Sequence, residues 1–159
     1  MRANPAPKEA IRSGLGKQNK RAEHFAALPF ELAPALMPKL EREATSGRLA
    51  VRFTILTAAR SGEVRKAKWS EIDLKAGIWT IPAERMKAGR EHAVPLSKAA
   101  IAVLKEAQAL RTSIADTIVF PGQHGQSLSD TALTKALRVE CGGKWTVHGF
   151  RSTFRDWAE

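Results

Sequence analysis

The stretch "EIDLKAGIWTIPAERMKAGREHAVPLS", residues 71–97, decides the fold, because here the hydrophobic period changes. Apolar and polar residues alternate, with breaks at "KAG" (75–77) and "KAGR" (87–90). Alternation bounded by turn residues marks short, half-buried strands joined by tight turns. Three antiparallel strands are predicted near 71–74, 78–82 and 91–95.

The flanking segments keep helical spacing. Upstream, "LPFELAPALMPKLEREA" places Phe30, Leu32, Leu36 and Leu40 on one stripe. Pro34 falls in the first turn, where proline is tolerated, and Pro38 is expected to kink the helix. "GRLAVRFTILTAAR" is strongly apolar, directs Leu49, Phe53 and Leu56 toward a core, and breaks at Ser61-Gly62, leaving Arg60 at a helix end. Downstream, Ser97 caps a helix with Ile101, Leu104 and Leu110 facing inward. "TIVFP" (117–121) is a short extended piece and "QHGQS" a loop. Ser129 or Asp130 starts a helix through about Glu140, and a last helix starts near Val147. The class is mainly α with a small three-stranded antiparallel sheet. Residues 1–27, rich in Pro, Gly, Asn and charge without sustained periodicity, form a basic linker, and 28–159 the folding part.

Composition narrows the function. With 43% hydrophobic and 26% charged residues among 159, the chain is of globular type with room for one core. No apolar run approaches the roughly 20 residues that span a bilayer. Met1 leads into a polar, basic stretch without the apolar centre of a secretory signal, so the expected compartment is the cytoplasm. Cys141 is alone, which leaves neither an intramolecular disulfide nor a cysteine zinc site. Beside Gly142 and Gly143 it reads as a small loop residue, not a nucleophile. The net charge is +10, of which the linker carries +4 and the remainder +6. Such an excess points to a polyanionic partner, above all nucleic acid.

Metal-ligand patterns are lacking. His24, His92, His124 and His148 are scattered without an HxxxH pair, and the acids form no convergent cluster. "SGLGK" (13–17) has neither the preceding strand nor the spacing of a phosphate-binding loop. Four basic residues stand out instead. Arg60 emerges where an apolar helix reaches an edge, with Glu63 three residues on to hold it. Lys87 sits at a hairpin tip, long and flexible enough to reach a groove. His148 and Arg151, three apart, share one helix face, with His148 in a first turn that favours anions. Val147, Phe150, Phe154 and Trp157 form the neighbouring apolar stripe. Each reads singly as a solvated surface residue. Together they make a set suited to gripping phosphate without metal.

From about Leu28 to Glu159, the chain resembles the catalytic domain of tyrosine recombinases, most closely prophage-type integrases. The resemblance rests on "LTAARSGEVRKAKWSEID" (56–73), "WTIPAERMKAGREHAVPLS" (79–97), "TIVFP" and "TVHGFRSTFRDWAE" (146–159), in that order. It implies that Arg60 is the first catalytic arginine, Glu63 the acid that orients it, and Lys87 the general acid for the 5′-hydroxyl leaving group. It implies that His148 and Arg151 are the "HxxR" pair. The implied reaction is site-specific recombination that integrates a mobile element, through a 3′-phosphotyrosyl intermediate and without metal or cofactor. The implied partners are duplex DNA at attachment sites and other integrase protomers on that DNA, with no membrane.

Two parts of the family pattern are expected and not found. The nucleophilic tyrosine should follow "HGFRSTFRDWAE", yet the chain contains no tyrosine. The core-binding domain that precedes the catalytic domain is also missing. The expectation is therefore a catalytic-domain fold truncated on its C-terminal side and inactive alone. The rival reading is a non-catalytic duplex-DNA-binding fragment. A basic module for RNA or nucleoid DNA would explain the charge but not the motifs.

Overall fold

The computed structural model describes residues 26–86, 88–112 and 117–159. The predicted linker, apart from its last two residues, lies outside the described residues, as does Lys87.

Helix α1 (Ala33–Glu41) follows a 3-10 turn at Phe30–Leu32 and buries Leu36 and Leu40. Phe30 and Leu32, predicted on the same stripe, are exposed because they belong to that preceding turn. Pro34 lies in the first turn, and the helix runs through Pro38 to Glu41. Helix α2 (Ser46–Thr57) is capped by the Thr45 hydroxyl, which accepts from the Arg48 amide. It packs against α1 and against the helices α3 (Ser61–Arg65), α4 (Lys98–Ala109), α5 (Asp130–Cys141) and α6 (Phe150–Ala158). A helix surrounded on so many sides must be apolar nearly all round. Leu49, Ala50, Val51 and Phe53 accordingly lie in the core. Arg52 is the charged exception, buried but paired with Glu106 at 2.7 Å and Glu41 at 3.2 Å.

The predicted sheet is present as β1 (Ile72–Asp73), β2 (Ile78–Ile81) and β3 (His92–Pro95), antiparallel in the order β1-β2-β3. Register pairs Trp79 with Val94 and Ile81 with His92. Trp79, Ile81 and Val94 are buried, so this face of the sheet looks onto the core. There the Trp79 and Phe120 rings flank Phe53 with centroids 5.3 and 5.5 Å away. The "TIVFP" piece runs beside residues 67–69, with the Val119 amide donating to the Ala67 carbonyl.

Ser97 caps α4 as expected, and Leu104 is fully buried. The buried stripe is nevertheless Ala100, Val103, Leu104 and Ala107, which leaves Ile101 on its shoulder. Leu110 ends the helix and is 43% exposed. Ser129 caps α5, and Cys141 is its last residue, partly buried against the core and not in a loop.

Helix α6 begins at Phe150, three residues later than predicted. The Thr146 hydroxyl accepts from the Gly149 amide and holds 147–149 in a turn ahead of the helix. Three hydrogen bonds dock this end on the start of the described chain: the Thr146 amide and hydroxyl both donate to the Ala26 carbonyl, and the buried Thr153 hydroxyl to that of Leu28. Gly149 lies directly against this segment. A Cβ there would sit 2.9 Å from Cα of Ala27 and closer still to the Ala26 carbonyl oxygen, so only glycine fits.

Candidate functional site

The site forms where α2 ends. Ala58 takes a left-handed conformation with φ 49°, unusual for a residue with a Cβ, and turns the chain out of the helix. Ala59 returns to the core, and Arg60 stands in extended conformation just ahead of α3. Glu63 uses both carboxylate oxygens on it. One accepts from the Arg60 amide at 2.9 Å, the other from its guanidinium at 2.6 Å. The Glu63 side chain is 8% exposed and that of Arg60 45%, so a buried acid holds a cation that still faces solvent. This arrangement fixes the planar fork while leaving its remaining N–H groups available.

Arg151 lies in the first turn of α6, and its guanidinium donates to the Ala58 carbonyl. The left-handed residue thus anchors Arg151 two positions before Arg60. His148 is not on the helix proper but in the turn that precedes it. The spacing of three survives because the turn closes with helix-like bonds: the Arg151 amide donates to the His148 carbonyl and the Ser152 amide to that of Gly149. Those amides, together with that of Gly149, are thereby engaged within the turn. The anion-attracting helix end expected from the sequence is correspondingly reduced, and the side chains carry the positive character.

Three adjoining clefts relate Arg60, His148 and Arg151 pairwise. Arg60 and His148 line one of about 440 Å³ with Glu63, Lys66, Glu84 and Arg85. Arg60 and Arg151 line another of about 320 Å³ with Glu63, Met86 and His92. His148 and Arg151 share a third with Ser152 and Arg155. Of the residues predicted for the site, Arg60, Glu63, His148 and Arg151 are therefore gathered on one face. Lys87 lies outside the described residues.

Two residues of this face were not singled out by the sequence reading. Arg85, in the 3-10 turn after β2, donates to the Glu71 carboxylate and to the Glu63 carbonyl. It ties the base of the hairpin to the helix that orients Arg60. A basic residue near a hairpin tip carries no sequence signal of such burial. His92 is the second, and alternation along β3 could have flagged it, since it shares a face with the apolar Val94. Among the described residues no group of three or more His, Cys, Asp or Glu side chains could hold a metal ion.

The pattern of the phage integrase family matches residues 27–157. The chain belongs to the phage integrase family. This integrase-family chain is 40% identical over 138 residues to prophage integrase IntZ of Escherichia coli (strain K12), covering 85% of the chain and 34% of IntZ. It is 33% identical over 159 residues to the integrase of Enterobacteria phage P4, covering 85% of the chain and 35% of that protein. The chain thus spans about a third of the length of the curated relatives it matches. Its fold is similar to that of a lambda integrase chain solved as a dimer bound to a COC′ core site, with a TM-score of 0.65 at 19% identity over 91% of this chain and 59% of that one. Among the described residues no helix is long and apolar enough to cross a membrane.

Proposed function

We propose that this integrase-family chain grips duplex DNA as part of a site-specific recombinase, with Arg60, His148 and Arg151 around one phosphodiester. The observation that carries the reading is the pairwise sharing of clefts by these three residues at the end of α2. In a transesterification, charge builds on the non-bridging oxygens, and two fixed guanidiniums and an imidazole can share it. Glu63 then orients Arg60, and Lys87 supplies the proton that the departing 5′-oxygen needs. DNA attachment sites and further integrase protomers are the partners of this reading, and the cytoplasm its compartment.

A second reading has a specific observation in its favour. The chain contains no tyrosine, the residue that the family uses as nucleophile. By itself it would hold a phosphodiester without breaking it, as a non-catalytic duplex-DNA-binding fragment.

Both readings require DNA binding dominated by phosphates. Fluorescence anisotropy of a labelled duplex, titrated with salt, tests it. About four or five phosphate contacts give a slope of log K against log salt near −4, or some two decades of affinity over a fourfold salt increase. Arg60→Gln and Arg151→Gln should each lower that slope by about one. Salt-independent binding, or none, refutes the proposal.

A further inference from the structure

The core-facing side of the sheet has one polar member. Strand alternation and register place Trp79, Ile81, Val94 and His92 on the same face. Trp79 and Ile81 are fully buried and Val94 nearly so, whereas His92 is exposed. The face therefore leaves the core at His92, and it does so where the core opens into the cleft of Arg60 and Arg151. An imidazole at that edge looks into a cationic cleft, not away from it.

We propose that His92 is a further phosphate-binding residue of this cleft, adding a proton-dependent positive charge to the permanent ones of Arg60 and Arg151. The inference rests on the reading that the cleft holds a DNA phosphodiester. The groups around His92 come from three directions. Arg60 and Glu63 stand at the α2–α3 junction, and Arg151 on α6. On its own hairpin, Arg90 and Glu91 precede it. Arg85 and His148 face the adjoining cleft. Glu63 is already engaged by Arg60, so it does not compete for the imidazole as a free anion would. A guanidinium cannot lose its proton within the working range, but an imidazole can. DNA affinity should then be higher at acidic than at alkaline pH, with His92 supplying the difference.

The test is duplex affinity of the full chain by anisotropy at fixed salt, between about pH 8 and about pH 5.5, where imidazoles exchange their proton. A charge-assisted bond to a phosphate oxygen should tighten binding about tenfold across this range. His92→Gln should match the parent at the high end and lose most of the gain at the low end. His92→Lys, with a permanent charge, should bind at the high end about as tightly as the parent does at the low end. His148→Gln and His124→Gln separate the contributions of those imidazoles. Full pH dependence retained in His92→Gln, or weaker high-pH binding by His92→Lys, overturns the inference while leaving the DNA reading intact. No duplex binding by the parent chain at any pH overturns both.

Discussion

Gly149→Ala is the most direct probe of how the "HGFR" segment is held. Gly149 has φ −60° and ψ −25°, dihedrals that alanine adopts freely, so the penalty is steric alone. The new methyl must be accommodated against the 26–27 backbone. One route is local displacement at an overpacked contact, at about 1–3 kcal/mol. The other is release of the 26–28 segment. That loses the Thr146–Ala26 and Thr153–Leu28 hydrogen bonds and the burial of Leu28. Three hydrogen bonds at about 1 kcal/mol each, two of them from Thr146, and one leucine at about 2 kcal/mol bring this route to about 5 kcal/mol. The cheaper displacement should win, lowering the thermal midpoint by about 4–12 °C for a domain of this size. Because α6 carries Arg151, duplex affinity should fall as well. The decisive comparison is the same substitution in a chain beginning at Leu28, without the obstructing residues. There it should cost less than about 0.5 kcal/mol. Equal costs in both backgrounds, read by circular dichroism during thermal or urea unfolding, would refute the steric argument.

Ala58→Gly should raise the thermal midpoint by a few degrees in a melting experiment, because the left-handed conformation costs alanine about 1–2 kcal/mol and glycine little beyond its extra chain entropy. The chain alone should form no covalent adduct with a nicked suicide duplex on a denaturing gel. Ser152 and Thr153 are the nearest hydroxyls in sequence to Arg151, and that of Thr153 is buried and donates to Leu28. A segment bearing the family tyrosine, supplied in cis or in trans, should restore the shifted band. Phe154 and Trp157, 46% and 64% exposed, border an apolar groove with Phe30, Pro34 and Ile55. Such surface should bind a hydrophobic dye and promote self-association at high concentration, and Phe154→Ser with Trp157→Ser should abolish both.

The sheet was legible because alternation, glycine turns and strand length agreed from Ile72 to Pro95, and helix caps at Ser97 and Ser129 gave their starts directly. The start of α6 was not, because Thr146 closes a separate turn before Phe150 and the residue types there suit helix and turn equally. Leu110 misled because helical periodicity continues past the point where the chain leaves α4. The Arg60–Glu63 pair is local, so spacing revealed it. Arg52 meets Glu106 and Arg85 meets Glu71 across longer separations, 54 and 14 residues, which no local pattern encodes. The grouping of Arg60 with His148 and Arg151 likewise depends on tertiary packing; in the sequence it rested on residue chemistry and placement at element edges, and the family resemblance gave the set its roles.

The two arginines of the site belong to parts of the fold with unequal hold on the core. Arg60 extends from α2, which is enclosed by five other helices, and its orienting Glu63 is bound in turn by Arg85. Arg151 rides on α6, which buries only Phe150 and Thr153. Local opening free energy follows such differences in buried contact, and the edge opens far more often than the centre. On the proposed reading, the phosphate site of Arg60 and Arg151 is complete only for the fraction of time that α6 is docked. Whatever clamps that helix, whether DNA on its cationic side or a protein surface on Phe154 and Trp157, raises that fraction and thereby the apparent affinity for phosphate, without touching Arg60 at all.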